Sequence, residues 1–233
     1  MQFIEKNSLN VRSAVYHLRK EGAGLEFVLF PMVHVGTREF YEEVSRRLAA
    51  CDLILLEGVA SRRVRLLTLS YTIVRHIRRM DLVTQREGMN VSAFRDKLLN
   101  ADMGGRAFDE RWSALPFSLK AQLFFLLPVY ALYLLLFGTR ETLAEHIALE
   151  DLPSPDEILS QDEDFEKLDA LLVDERDREL IEAIRGLHDA GARERRTVGV
   201  VYGAAHMRNV VAFLLSELRY KVAGAEWVTV FDL

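Results

Sequence analysis

The chain of 233 residues has one cysteine, Cys51. An intrachain disulfide is therefore excluded, which fits a reducing compartment. Cys51 stands just before an apolar run and reads as a small buried hydrophobe. Positive charge is not in excess. Thirty Lys and Arg face 35 Asp and Glu, a formal net charge of -5, which argues against a nucleic-acid partner. The first residues, "MQFIEKNSLNVRS", contain no apolar core of the signal-peptide kind. The expectation is a cytoplasmic protein with, at most, a peripheral place on a membrane. There is no Gly-x-Ser-x-Gly elbow and no His-Glu-x-x-His, so a serine hydrolase or an ordinary zincin is a poor fit. Walker and Rossmann glycine patterns are also missing.

What is present is carbon. Half of the residues are hydrophobic, enough for a sizeable core. "VRSAVYHL" (11–18) and "LEFVLFPMV" (25–33) read as two strands of a hairpin. "REFYEEVSRRLAA" has helical spacing with Thr37 as N-cap. "CDLILLEGV" (51–59) is a continuous apolar run of the kind found in strands buried on both faces. Strand, helix and strand make a βαβ unit, which predicts a right-handed crossover and parallel strands. "TVGVVYG", "AHMRNVVAFLLSELR" and "EWVTVFDL" repeat the theme near the end. The expected fold is one α/β domain over 1–233: a central, mostly parallel β-sheet built from two βα halves, with a helical insertion over 60–190.

Inside the insertion, 61–79 is an Arg-rich helix candidate. "SPDE" (154–157) is a helix start, with Ser154 as N-cap, Pro155 at N1 and Glu157 at N3. A long acidic helix follows over roughly 163–189, with Leu168, Leu172, Leu180, Ile184 and Leu187 as its core stripe. The most apolar stretch is 115–138, in which Gln122 is the one strongly polar residue between Ala121 and Phe137. A single membrane crossing would place the two βα halves on opposite sides of a bilayer, so they could not share a sheet. Three readings stand: a core helix or homo-oligomer interface, a membrane-dipping hairpin bent at Pro128, or an apolar flap over a site. The Arg-rich segment suits anionic lipid in the second reading, and is otherwise a solvated helix face.

Sites in open α/β sheets form at the carboxyl ends of strands. His34, Glu57 and His206 each follow or close an apolar strand, and Gly36 and Gly203 allow close backbone approach beside the histidines. Arg176 and Asp177 interrupt the apolar face of the acidic helix. A buried arginine needs an acidic partner or an anionic ligand. Asp102, in "NADM", is a further candidate carboxylate. Two imidazoles and a carboxylate suit a divalent metal with open positions for water: His34 and His206 as ligands, Glu57 as third ligand or general base. In the same reading Arg176 would steady an oxyanion or hold a carboxylate. Without metal, Glu57 or a histidine would itself take a proton from water.

"FPMVHVGTREFYEEV", "CDLILLEGV", "NADM", "DERDRELIEAI" and "VVYGAAHM", in that order, resemble the TraB/PrgY/Tiki superfamily, with its GumN-type members. The erythromycin esterase-like and ChaN-like proteins are more distantly similar. The family's second Gly-x-x-His is intact from Gly203 to His206; in the first, Pro31 stands where the glycine would be and His34 is kept. The resemblance implies a metal-dependent, peptidase-like hydrolase acting on a peptide or small molecule, with manganese, cobalt or zinc as the metal. Esterase-like relatives imply His and Glu chemistry without metal. The alternative is a membrane-associated module that sequesters a peptide or ligand without catalysis.

Overall fold

The computed structural model describes residues 1–74, 76–77, 79–151, 163–191 and 194–233. The first half contains β1 (Ile4–Lys6), β2 (Asn10–Arg19), β3 (Leu25–Met32), β4 (Val35–Gly36), α1 (Arg38–Ala49) and β5 (Leu53–Leu56). The insertion contains α2 (Arg62–Leu67), α3 (Leu69–Val74), β6 (Val83–Thr84), α4 (Gln85–Gly88), β7 (Leu98–Asn100), α5 (Gly105–Ala114), α6 (Phe117–Phe137), α7 (Arg140–Asp151) and α8 (Glu163–Asp169). A π turn, Ala170–Asp174, leads into α9 (Glu175–Ala190); β8 (Arg196–Gly203), α10 (Ala204–Ser216) and β9 (Lys221–Asp232) complete the chain. The helix start expected at Ser154, Pro155 and Glu157 lies outside the described residues.

The main sheet has the order β1-β2-β3-β8-β5-β7, with β9 also paired to β2. β3, β8, β5 and β7 run parallel, while β2 is antiparallel to β1, β3 and β9. Every strand except β2 therefore points the same way, as the α/β reading with a mostly parallel sheet expects. β2 and β3 form the expected hairpin, Tyr16 facing Leu29. β8 enters between β3 and β5, which the crossover through α1 leaves one strand apart. All eight side chains of β3 are buried, as an apolar run covered on both faces requires. Thr37 caps α1 by accepting a hydrogen bond from the Phe40 amide.

The core has two parts. The larger joins the sheet to α1, α9 and α10. The smaller gathers Met103, Phe108, Trp112, Leu115, Leu119, Leu168 and Leu171 inside the helical insertion.

Three expectations about the insertion are corrected. The Arg-rich segment is not one helix but two short ones, α2 and α3, and α3 packs on α6. The acidic helix is broken by the π turn. Its one-residue shift in phase buries Leu171 and leaves Leu172 only partly covered, because an extra residue per turn rotates the stripe. The apolar stretch is neither a core helix nor a hairpin. α6 is one continuous helix through Pro128, and its buried residues are Leu119, Ala131 and Leu134 alone. Phe117, Phe125 and Val129 are 83%, 68% and 65% exposed. A helix apolar all round has found protein for one stripe only.

α1 lies close over β8 because Gly199 has no side chain. A Cβ there would stand 2.9 Å from Leu48 Cδ2 and 3.1 Å from Cys51 Sγ. Gly199→Ala is expected to destabilise the fold by about 1–3 kcal/mol through overpacking, measured by urea unfolding; an unchanged midpoint would show that α1 can lift at no cost.

Candidate functional site

Four strands deliver ionisable residues to one edge of the sheet. Glu57 directly follows β5, Asp102 lies two residues past β7, His206 sits in the first turn of α10 after β8, and His34 lies two residues past β3. The backbone fixes Glu57 first: its amide donates to the Val201 carbonyl at 3.0 Å. Its Oε2 then accepts from the Gly203 amide at 2.6 Å. Gly203 is the N-cap of α10 and has no side chain to cap with. The carboxylate from the neighbouring strand accepts from the amide of the cap residue itself, at the positive end of the helix dipole, which favours an anion. A Cβ on Gly203 would lie 3.4 Å from Glu57 Oε2 and 3.5 Å from His206 Cδ2, so the glycine leaves these two groups their room.

Arg176 joins the carboxylates. Its Nε and Nη2 donate to Asp102 Oδ1 and Oδ2 at 3.0 and 2.7 Å, a fork-to-fork pair. Nη2 also donates to Glu57 Oε1 at 2.6 Å, and Nη1 to the Leu172 carbonyl at 3.2 Å. Asp102 further accepts from the amides of Gly58 and Met103, both at 2.7 Å. Arg176 is thus the cation that the interruption of the apolar stripe predicted, and its partners are Glu57 and Asp102. Its donors face protein groups, so it positions Glu57.

His206 is buried, with Nδ1 2.6 Å from Asp177 Oδ1 and Nε2 3.6 Å from Glu57 Oε1. The second distance is a close ionic contact, longer than a direct hydrogen bond. Asn209 Nδ2 donates to the other oxygen of Asp177 at 2.5 Å. Burial opposes the charged imidazole, but Asp177 and Glu57 outweigh it and push the pKa of His206 up to about 9. Burial likewise opposes the Glu57 anion; His206, Arg176 and His34 together hold its carboxyl well below the usual range. The cluster thus sets one imidazole and one guanidinium against the side chains of Glu57, Asp102 and Asp177, and its contacts favour the charged forms of His206 and Glu57.

His34 is exposed and stands close enough to act electrostatically on Glu57. Gly58 and Ala205, the chain neighbours of Glu57 and His206, are exposed as well, and the Glu57 side chain is itself 15% exposed, so the pair lies beside solvent-facing residues. Among the described residues, no group of three or more His, Cys, Asp or Glu side chains is placed to hold a metal ion. Arg176 and the Gly203 amide occupy the two Glu57 oxygens, so a cation bound at Glu57 would have to displace the guanidinium from Oε1.

Three residues here escaped sequence reasoning. Asn209 is three residues after His206 on α10, a spacing that marks a shared face. Tyr202 is fully buried with its ring edge-on to His206, and its hydroxyl has no hydrogen-bond partner among the described residues. A tyrosine in a strand reads as core, so nothing in the sequence flags it. Asp169 is raised by burial, Asp174 and Asp177; it comes near through the π turn, which has no sequence signature.

A raised His206 pKa makes a linkage prediction. The unfolded imidazole titrates near ~6.5, so its contribution to stability is complete below that pH and is lost as pH rises through about 9. Imidazole NMR is expected to place the wild-type midpoint near 9, and Asp177→Asn to lower it by about one unit or more. A wild-type midpoint at the ordinary value would refute the buried imidazolium. Compared with known proteins, the chain matches no family model, no curated protein and no solved structure.

Proposed function

We propose that the chain is a hydrolase of peptide-like or ester-like substrates, working at the His206–Glu57 pair as the resemblance to the TraB/PrgY/Tiki superfamily implies. The observation that carries this is a buried imidazole held by a carboxylate on one nitrogen, with its other nitrogen turned to a second carboxylate that is partly exposed. Asp177 fixes the ring, as the third member of a triad does. His206 enters as the acid: its Nε2 proton stabilises negative charge growing on a carbonyl oxygen, or passes to the leaving group. Glu57, the nearest acceptor, takes the proton of the attacking water. Its basicity is low while Arg176 holds Oε1, so a substrate that loosens that contact would raise it. Arg176 and Asp177 are positioning residues in this scheme. No step runs through a metal.

A metal-dependent version remains the second reading, on one observation. A carboxylate on Nδ1 is the usual support of a metal-binding histidine, and Asp177 supplies it to His206. That version requires His206 to lose its proton and Glu57 Oε1 to leave Arg176, with His34 as the third donor. A sequestering module, the non-catalytic alternative, would bind at the same residues without turnover.

The test is a panel of peptides and esters assayed with wild type, His206→Ala and Glu57→Gln, with manganese, cobalt, zinc or a chelator. Circular dichroism checks the fold. Activity is expected to fall by about 10²-fold or more in both variants. In wild type it should decline as pH rises through about 9, since the acid is lost there; that apparent value belongs to the pair. Full activity in folded His206→Ala sinks the site. Loss of turnover on chelation, restored by one metal, selects the second reading. Ligand binding with no turnover under any condition selects sequestration.

A further inference from the structure

The exposed face of α6 is apolar over a length that would bridge a bilayer, yet its attachments forbid that path. The helix has 21 residues and a mean hydropathy of 1.8, with 17% of its most apolar window buried. It is therefore not a core helix, and at Phe117–Phe137 it is far from the N-terminus. Its two ends are both fixed to the globular body. At the first end, Leu119 packs with Phe108 and Trp112 in the smaller core. At the other, Leu134 enters the main core, Arg79 donates to the Gly138 carbonyl at 2.8 Å, and Arg140 donates to the Met80 carbonyl at 2.7 Å. A helix tied at both ends lies along the surface. Phe125, Val129, Leu132 and Leu136 then point outward together.

Charge says what covers this face. Residues 61–80 and 111–140, which include the packed pair α3 and α6, contain nine Arg and Lys and no Asp or Glu. The rest of the chain has 21 basic and 35 acidic residues. In sequence, these two stretches carry a net charge of +9 in a protein whose total is -5. Arg63 and Arg111 pair with Asp109 and Glu175 from outside these stretches. Lys120, Arg79 and Arg140 donate to backbone carbonyls; among the described residues Lys120 and Arg79 form no ion pair, while Arg140 also feels the neighbouring Glu141 carboxylate. Lys120 stands at one end of α6, Arg79 and Arg140 at the other. A second copy of the chain would bring the same positive rim against itself, and like charges facing each other oppose association.

We infer that α6 lies flat in the interface of an anionic lipid bilayer, with its outward apolar face among the upper acyl chains and the cations at its two ends among the headgroups. Such a helix binds through buried apolar area together with attraction to anionic lipid, each cation near the surface adding about 1 kcal/mol. The usual polar face of an interfacial helix is replaced here by the protein body. The attachment is peripheral and leaves both βα halves on one side, as their common sheet requires.

The experiment is vesicle flotation of the full chain with phosphatidylcholine vesicles, with and without phosphatidylglycerol. Wild type is compared with the triple variant Phe125→Ser, Val129→Ser, Leu136→Ser. All three positions are exposed, and circular dichroism checks that the variant is folded. Wild type is expected to float with the anionic vesicles, about tenfold or more less in high salt. The folded variant is expected to lose binding by about tenfold or more. Wild type left in solution with both vesicles overturns the inference. Equal binding to neutral vesicles overturns its anionic part. A dimer that sediments as such without lipid, and separates in the triple variant, would assign the face to a second copy.

Discussion

The guanidinium of Arg176 is the contact on which the site depends. It neutralises Glu57 and Asp102, which come from strand ends 119 and 74 residues away in sequence. Its side chain is 11% exposed and that of Asp102 is fully buried. Removing one member of such a network leaves the others charged without a partner in a poor solvent, which costs more than the network gains over an apolar filling. The arrangement therefore specifies one geometry. The ends of β5 and β7 and the start of α9 can meet in one way that satisfies every charge. Backbone amides do much of the fixing: Gly203 for Glu57, Gly58 and Met103 for Asp102.

The insertion of β8 between β3 and β5 gives the network its centre. A parallel strand ends where a helix must begin, and the first turn of that helix carries unsatisfied amides. In α10 the cap is a glycine, and its own amide donates to Glu57 of the neighbouring strand. Glu57 is drawn there, and it brings the anion that lets His206 be an imidazolium in a helix first turn, where a cation would otherwise be repelled by the dipole. Asp177 supplies the second anion from across the cleft. The tuning of His206 is thus a consequence of strand order.

Much of this was readable in the residues. Apolar runs ending in Glu57, His34 and the stretch before His206 marked strand ends, and a parallel sheet brings such ends together. Arg176 stood out because a cation in an apolar stripe has few stable solutions. Asp102 could be marked as a carboxylate but not placed: β7 has three residues, too few for a period to show. The π turn could not be read, since backbone phase leaves no compositional trace, and with it went Asp169 and the true buried stripe of the acidic helix. The fate of α6 was open for a different reason. A helix apolar on every side has no preferred face, so its sequence cannot say which stripe meets protein.

The charge network and α6 meet at the smaller core. Met103, whose amide holds Asp102, packs there with Leu119 of α6, and Leu172, whose carbonyl accepts from Arg176, packs at its edge. The first turn of α6 is thereby joined to the charge network by contiguous packed side chains. Dense packing passes displacement on instead of absorbing it. α6 thus touches both cores, the smaller one through Leu119 and the main one through Leu134. The sheet fixes Glu57 and His206 against each other, while the helical insertion supplies Arg176 to Glu57 and Asp177 to His206.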